Sequence, residues 1–437
     1  MSPKVIRDAV HGDMELGDAD LAVLDTPEVQ RMRGIRQLGT ARLIYPSANH
    51  TRFDHSLGTA HLARKILASI EANSDTRFEE EEHRLATLAG LCHDVTHIPY
   101  GHTIEDERRL FERHDTPERI EAVVGHGELG KTLRQLGCLK EILAILGARK
   151  KSTAVRPFLK ELICGTICAD LLDYLARDSL FCGLAQRYDE RIFRYFRIQD
   201  DHLVLTTSKD GLLREDALSE IIALLRLRYT LSERVYFHHA KVSSGAMVSK
   251  LVEIGLRHGL VLEDLFWQMD DSLLPMLRSR FGRDPELDRV ALRVERRRLY
   301  KRCFVLTRRI GPEQQARLIE QFHRDHAQRG SAERSLEKAT GLDSGDVIVY
   351  CPSAGMALKE ADIPVLVDSD QVVELSALRL PEIDVLLDKH RDLWKFYVFL
   401  APDRVDRLDK LSRAAEEYFG FQNELGGLRS GQKFFRF

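Results

Sequence analysis

The sequence predicts a mainly α-helical fold with a small α+β domain at its C-terminal end. Three observations predict it. From His55 to about Gly259 the apolar residues recur at helical spacing, as in "HSLGTAHLARKILASIEA", "HRLATLAGLCHD" and "PFLKELICGTICADLLDYLARDSL". From about residue 340 short apolar runs take over: "DVIVYCP", "IPVLVDS", "QVVEL" and "WKFYVFLAP" read as strands, and "DRVDRLDKLSRAAEEYF" as a helix. Between these regions, residues 282–334 are dense in charge and read as surface helix.

The elements follow in order. "KVIRDAVHGDMELG" reads as a short strand pair. "LDTPEVQRMRGIRQLG" reads as a helix with Thr26 as N-cap, Pro27 in the first position and Gly39 at the stop. The run ending in "LCHD" is a helix that Pro99 and Gly101 bring to a close. A chain of 437 residues exceeds one ordinary core. We divide it into an N-terminal segment 1–50, a helical body with charged extension 51–335, and a C-terminal domain 336–437.

The composition, 43% hydrophobic and 30% charged, is that of a globular protein. A formal net charge of −3 gives no bulk attraction to nucleic acid or anionic membrane, and leaves a local basic patch open. The seven cysteines are odd in number and form no CxxC pair; Cys164 and Cys168, four apart, read as core packing. A reduced, cytoplasmic protein without a disulfide framework is expected. The first residues lack an apolar signal core, and no apolar run reaches the length of a membrane span.

The chemistry concentrates in "LCHDVTHIPYGH", which sets His93, Asp94, His97 and His102 at the end of an apolar helix. Imidazole and carboxylate together suit Fe, Mn, Zn or Ni rather than Ca. Neighbouring side chains on a helix diverge by about 100°, but at a helix end both can turn toward one ion. Two ligands leave a site incomplete. His55, heading another helical run, is one candidate, and a carboxylate is still needed. Taken singly, His50, His61 and His83 read as structural.

"CADLLDYLARDSL" offers the carboxylate. Asp170, Tyr174 and Asp178 are spaced by four and share one helix face. Asp170 and Asp178 then lie roughly 12 Å apart along the axis. One end could hold a metal and the other the far end of an extended ligand. The apolar Ile167, Leu171, Leu172 and Leu175 argue that this helix is buried, and a buried Asp needs a partner or a metal.

"RFDHSLGTAHLA", "LAGLCHDVTHIPYGH" and "ADLLDYLARD", in that order, resemble the HD-domain metal-dependent phosphohydrolases. The likeness is strongest to the deoxynucleoside triphosphate triphosphohydrolase branch, which includes the vertebrate SAM-and-HD-domain enzymes. It runs from "VHGDMELG" to "RYTLSERVYFHHAKV". The resemblance implies a helical HD-domain bundle, with His55, His93, Asp94 and Asp170 as ligands of a divalent transition metal. It makes His97, His102 and His114 catalytic or supporting groups, with His102 protonating the leaving 5′ oxygen. Arg52 would clamp phosphate, Gln37 and Leu38 would line sugar and base, and Tyr174 and Asp178 would hold the sugar 3′-hydroxyl. Tyr236 would pack on the sugar and exclude a 2′-hydroxyl. Metal-activated water would cleave a dNTP to nucleoside and inorganic triphosphate, with Mg bridging the substrate phosphates. The branch also implies a GTP or dNTP effector at Asp25, Gln30 and Arg33, and a homo-oligomer, dimer or tetramer.

There are departures. The vertebrate-type members carry a Lys directly after the metal-binding Asp, where this chain has Leu171. Arg7 stands where an Asn is usual in the effector site. Two alternatives follow: an HD phosphohydrolase acting on a mono-, di- or dinucleotide, or a degenerate HD module that binds nucleotide for regulation. "GHGELGKT", Gly125 to Thr132, has P-loop spacing, but the preceding "TPERIEAVV" reads as helix, whereas a P-loop needs a strand there.

Overall fold

The computed structural model describes residues 3–147, 155–209, 212–353, 362–368 and 371–426. The chain begins with the antiparallel hairpin β1 (Lys4–Asp8) and β2 (Gly12–Leu16). Asp8 accepts the backbone N–H groups of Val10 and His11 at 2.8 and 2.9 Å, which fixes the turn. α1 (Asp18–Leu24) and α2 (Pro27–Gln30) follow. Thr26 and Pro27 open α2 as expected, but the helix does not run to Gly39. It passes into a 3₁₀ turn, Arg31–Gly34, and ends at the extended residue Ile35. Tertiary ties outweigh helical spacing there: the Ile35 carbonyl accepts Arg52 N–H at 2.8 Å, and Arg36 N–H donates to Asp270 at 3.0 Å.

α3 (Arg52–Asn73) starts on the sequence Thr51-x-x-Asp54. The Asp54 carboxylate accepts Thr51 N–H at 2.8 Å and the Thr51 hydroxyl accepts Asp54 N–H at 3.3 Å, a capping box. α4 (Glu80–Cys92) ends at His93, well before Pro99 and Gly101. The stop has a backbone cause, because two buried arginines take the next carbonyls. Arg31 binds those of Val95 and His97 at 2.9 and 2.7 Å, and Arg119 binds that of Thr96 at 2.8 Å. Five helices complete the body around α3: α5 (Pro117–Val124), α6 (Gly127–Gln135), α7 (Leu139–Ile145), α8 (Pro157–Cys164) and α9 (Ala169–Phe181). Leu171, Leu172 and Leu175 of α9 are buried in one core with Leu62, Ile66 and Leu88 of α3 and α4. Cys168 is buried just before α9, whereas Cys164 at the end of α8 is exposed, so only one of the pair packs inside.

The chain then forms β3 (Phe196–Gln199) and β4 (His202–Thr206), the short pair β5 (Ser208–Lys209) and β6 (Leu212–Leu213), and α10 (Glu215–Leu231). A π-turn, Ser232–Tyr236, leads into α11 (His239–Arg257), α12 (Leu262–Phe266), α13 (Asp270–Phe281) and α14 (Pro285–Glu295). The charged stretch 282–334 is not surface helix throughout. It contains β7 (Lys301–Thr307), whose residues Cys303 to Leu306 are fully buried. Flanking arginines hide this strand from a composition-based reading. α15 (Pro312–Leu318), α16 (His326–Thr340), β8 (Val347–Tyr350), β9 (Pro364–Leu366), β10 (Val372–Glu374), α17 (Pro381–Arg391), β11 (Lys395–Leu400) and α18 (Leu408–Phe419) complete the chain.

The fold is mainly α with an α+β C-terminal region, as the sequence predicts. Both larger sheets join strands from either side of residue 336. One has the order β10-β9-β4-β3, the other β7-β11-β8. Among the described residues no helix is long and apolar enough to cross a membrane.

Candidate functional site

The start of α3, the end of α4 and the start of α9 meet at one point. His55 Nε2 lies 3.1 Å from His93 Nε2 and 2.9 Å from an Asp170 oxygen. Asp94 oxygens stand 3.9 Å from His55 Nε2 and 3.7 Å from His93 Nε2. Each imidazole uses its other nitrogen elsewhere: His55 Nδ1 lies 2.7 Å from Asp173 and His93 Nδ1 lies 2.8 Å from the Gly90 carbonyl. Both partners can only accept, so both Nδ1 atoms carry a proton, which leaves the two inward Nε2 lone pairs as the positions a cation can take.

Those facing lone pairs, with two carboxylates beside them, are a poor arrangement for hydrogen bonds alone. They fit one cation: donors about 2.0–2.1 Å from a transition metal lie roughly 3 to 3.4 Å apart. The electrostatics agree. Burial opposes charge on His55, yet its hydrogen bonds to Asp170 and Asp173 push its pKa up to about 10, so the pocket draws positive charge to this ring. Asp170 is held well below the usual carboxylate range despite burial, by His55 and His93. Asp94 is held low in the same way, chiefly by Arg52 and His93. The negative charge of Asp94, Asp170 and Asp173, gathered around two buried imidazoles, favours a cation between them.

Arg52 is buried on the first turn of α3 and pairs with Asp94. The turn above it depends on Gly101, at φ +36; a Cβ there would come within 2.9 Å of both Arg52 Nη2 and His97 Nδ1. This turn carries His97 and His102 beside His114, and the ligating atoms of the three lie within 4.8 Å of one another. His97 is fully buried and stacks on His114 at 3.6 Å between centroids. Burial, with Arg52 close by, pushes His97 well below its ordinary pKa, so it is neutral. His102 is 48% exposed, and its Nδ1 lies 2.8 Å from Asp106. Asp106 also lines a cleft of about 1180 Å³, shared with Arg113, Arg228 and Tyr350.

The far end of α9 is built differently. Asp178 is buried; its two oxygens accept from His50 Nε2 at 2.8 Å and from the Tyr236 hydroxyl at 2.7 Å. Tyr174 lies between the two ends, its ring 6.4 Å from that of His55. The Arg228 guanidinium stands 5.3 Å from the centroids of both Tyr174 and Tyr236. Gln37 and Leu38 sit on the segment before α3, with Leu38 buried and Gln37 N–H bonded to the His50 carbonyl at 3.1 Å.

A family model described as HD domain matches residues 52–178, and one described as HD associated region matches residues 189–426. The chain belongs to the HD-domain phosphohydrolase family. A deoxynucleoside triphosphate triphosphohydrolase SAMHD1 homolog from Dictyostelium discoideum is 27% identical over 320 residues, covering 69% of this chain and 60% of the relative. An uncharacterized protein from Methanocaldococcus jannaschii is 31% identical over 304 residues, covering 68% of this chain and 59% of the relative. The chain thus spans about three fifths of the length of these curated relatives. In fold it is similar to a hypothetical protein from Aquifex aeolicus, with TM-score 0.69 and 22% identity over 94% of this chain and 99% of that one.

Within this HD protein, sequence reasoning passed over several residues. His50, read as structural, is buried and binds Asp178. Asp173 and Arg177 share the helix of the recognised acids, and Asp173 binds His55 directly. A second Asp three positions after Asp170, on the side of the helix that the structure buries, was the available signal. Arg228 stood in "RYTLSERVYF" without a motif of its own. In the effector group, Asp25 is exposed, and Arg33 Nε donates to Gln30 at 2.8 Å while its guanidinium covers Phe53 at 3.6 Å. Arg7 instead pairs with Asp13 on the hairpin surface at 2.9 Å. The P-loop-like stretch lies on α6 after a helix, and Lys131 pairs with Glu128 at 3.0 Å in solvent.

Proposed function

We propose that this chain is a metal-dependent phosphohydrolase that cleaves dNTPs to deoxynucleoside and inorganic triphosphate. One observation carries the reading. α9 presents Asp170 to two inward-facing imidazoles and, two turns on, presents Asp178 to Tyr236, with the Tyr174 ring between. A phosphate-bound cation at one end and a sugar clamp at the other suit a nucleotide.

His55, His93, Asp94 and Asp170 would hold a divalent transition metal, Fe, Mn, Zn or Ni. When bound, such an ion lowers the pKa of a water and draws charge from the α-phosphate. The other residues bind and move protons. Arg52 is fixed by Asp94 and offers its remaining N–H groups to a phosphate oxygen. His102 gives a proton to the departing 5′ oxygen, and Asp106 steadies the ring that carries it. His97 and His114 line the phosphate side as neutral donors, and Mg²⁺ arriving with the substrate would neutralise charge on its phosphates. Tyr174 and Asp178 hold the 3′-hydroxyl, Tyr236 excludes a 2′-hydroxyl, and Gln37 and Leu38 border sugar and base. GTP or a dNTP would act as effector at Asp25, Gln30 and Arg33. Residues 51–335 form the catalytic body, and 336–437 support a homo-oligomer, dimer or tetramer.

A specific observation favours a second substrate class. Leu171, where related enzymes carry a Lys, is buried at 4% exposure and supplies no cation to a triphosphate. A mono-, di- or dinucleotide substrate would need fewer. The test is to incubate metal-analysed protein with each dNTP, alone and with GTP, and with a panel of other nucleotides, resolving products by mass spectrometry. Deoxynucleoside plus triphosphate is the expected result. Turnover of another panel member alone would transfer the reading to that substrate. Nucleotide binding without metal or product would make the chain a regulatory module.

A further inference from the structure

The N-terminal hairpin reaches the metal end of the site. Its turn brings His11 Nε2 to 2.6 Å from Asp173 Oδ1, across 162 residues of sequence. Asp173 is completely buried, and both of its oxygens are engaged. Oδ2 accepts from His55 Nδ1 at 2.7 Å and Arg177 Nε at 2.9 Å; Oδ1 accepts from His11 and from Arg177 Nη2 at 2.9 Å. Arg177 continues to Asp8, with Nη1 donating at 2.8 Å. Asp8 is the residue whose carboxylate also fixes the hairpin turn. The chain of contacts therefore runs from the turn, through two charged clamps, to the imidazole that faces His93 and Asp170.

Two further features show a built arrangement. A Cβ on Gly58 of α3 would lie 1.8 Å from Asp173 Oδ1 and 2.5 Å from Arg177 Nη2, so the approach of the carboxylate to His55 requires glycine there. The His11 ring also stacks on His61 of α3 at 5.4 Å, which restricts its rotation. A carboxylate that orients a ligating imidazole sets its tautomer and the direction of its lone pair, and losing such a partner weakens metal binding about 10- to 100-fold.

We propose that His11 is a positioning residue of the metal centre: together with Arg177 it fixes Asp173, which fixes His55, so the N-terminal hairpin is part of the metal site. This rests on the reading of His55, His93, Asp94 and Asp170 as metal ligands. The test is a Co²⁺ titration of the full, chelator-stripped chain, followed by visible absorption and by equilibrium dialysis. His11→Leu, which removes one donor to Asp173, should weaken Co²⁺ binding by roughly 5- to 10-fold, less than loss of Asp173 itself, and shift the absorption bands. His11→Gln, which places an amide N–H near the same point, should restore most of the affinity. A merely structural His11 would lower the melting temperature of both variants and leave the Co²⁺ affinity of the folded protein unchanged; that result overturns the proposal. Should His11→Leu not fold, His11→Asn, polar but too short to reach Asp173, carries the same expectation. Wild-type protein that binds no Co²⁺ would instead overturn the ligand reading itself.

Discussion

The two ends of α9 carry the same residue type, eight positions apart, in opposite states. At the Asp170 end the partners are imidazole Nε2 atoms whose lone pairs a cation can take, because both Nδ1–H groups are committed to Asp173 and Gly90. At the Asp178 end each oxygen meets a proton donor, His50 on one side and Tyr236 on the other. The first end is incomplete without a cation; the second already holds a donor on each oxygen and keeps lone pairs for a substrate hydroxyl. Nε2 of a histidine faces the carboxylate at both ends, so the difference lies at Nδ1: Asp173 holds that of His55, whereas that of His50 has no hydrogen-bond partner among the described residues and leaves Nε2 to carry the proton.

The comparison breaks most visibly at the first end. Asp170→Ala should abolish metal retention through dialysis, read by elemental analysis, and reduce kcat roughly 10³-fold. Unchanged metal content would remove Asp170 from the ligand set. Next is His102, which neither end uses. His102→Ala should keep its metal and lose about 10²- to 10⁴-fold in kcat on a nucleotide. The loss should be much smaller on a nitrophenyl ester, whose leaving group departs without a proton; equal losses on both substrates would argue against His102 as the acid. The second end should respond in KM. Tyr236→Phe deletes one hydrogen bond, of about 1 kcal/mol, and should raise KM roughly fivefold with metal content unaltered. Tyr236→Ala should in addition admit ribonucleotides, and a 2′-hydroxyl preference that stayed the same would remove Tyr236 as the gate. Smallest is Lys131→Ala on α6, which should change stability and activity by no more than about 0.5 kcal/mol. Loss of nucleotide binding in that variant would reopen the P-loop reading.

The legibility of the sequence follows the same division. The first end was readable because its chemistry is compressed into "HD" and one helix face, and three spaced motifs placed His55, His93, Asp94 and Asp170 together. The second end was half readable. Asp178 and Tyr174 show in helical spacing, but His50 lies on an irregular segment, where no periodicity marks a partner 128 residues away. Asp173 and His11 were illegible for a related reason, since their contact exists only once the hairpin is folded onto α9. In the fold, Thr26 and Pro27 marked the start of α2, whereas the capping box of Thr51 and Asp54 at the start of α3 went unread. Helix ends were harder, because α2 and α4 stop where Arg52, Arg31 and Arg119 take backbone groups from a distance. β7 was lost under its flanking arginines, although "CFVL" has the apolar run of a buried strand.

The most direct test of the account is to strip the protein of metal and restore Fe²⁺, Mn²⁺, Zn²⁺ or Ni²⁺ one at a time, following nucleotide hydrolysis in ¹⁸O-labelled water. The account predicts that turnover rises in step with one bound ion per chain, that Asp170→Ala gains nothing from any metal, and that the label enters the phosphate product. Stripped protein that hydrolyses nucleotide as fast as the restored enzyme, or label found in the nucleoside, would contradict it.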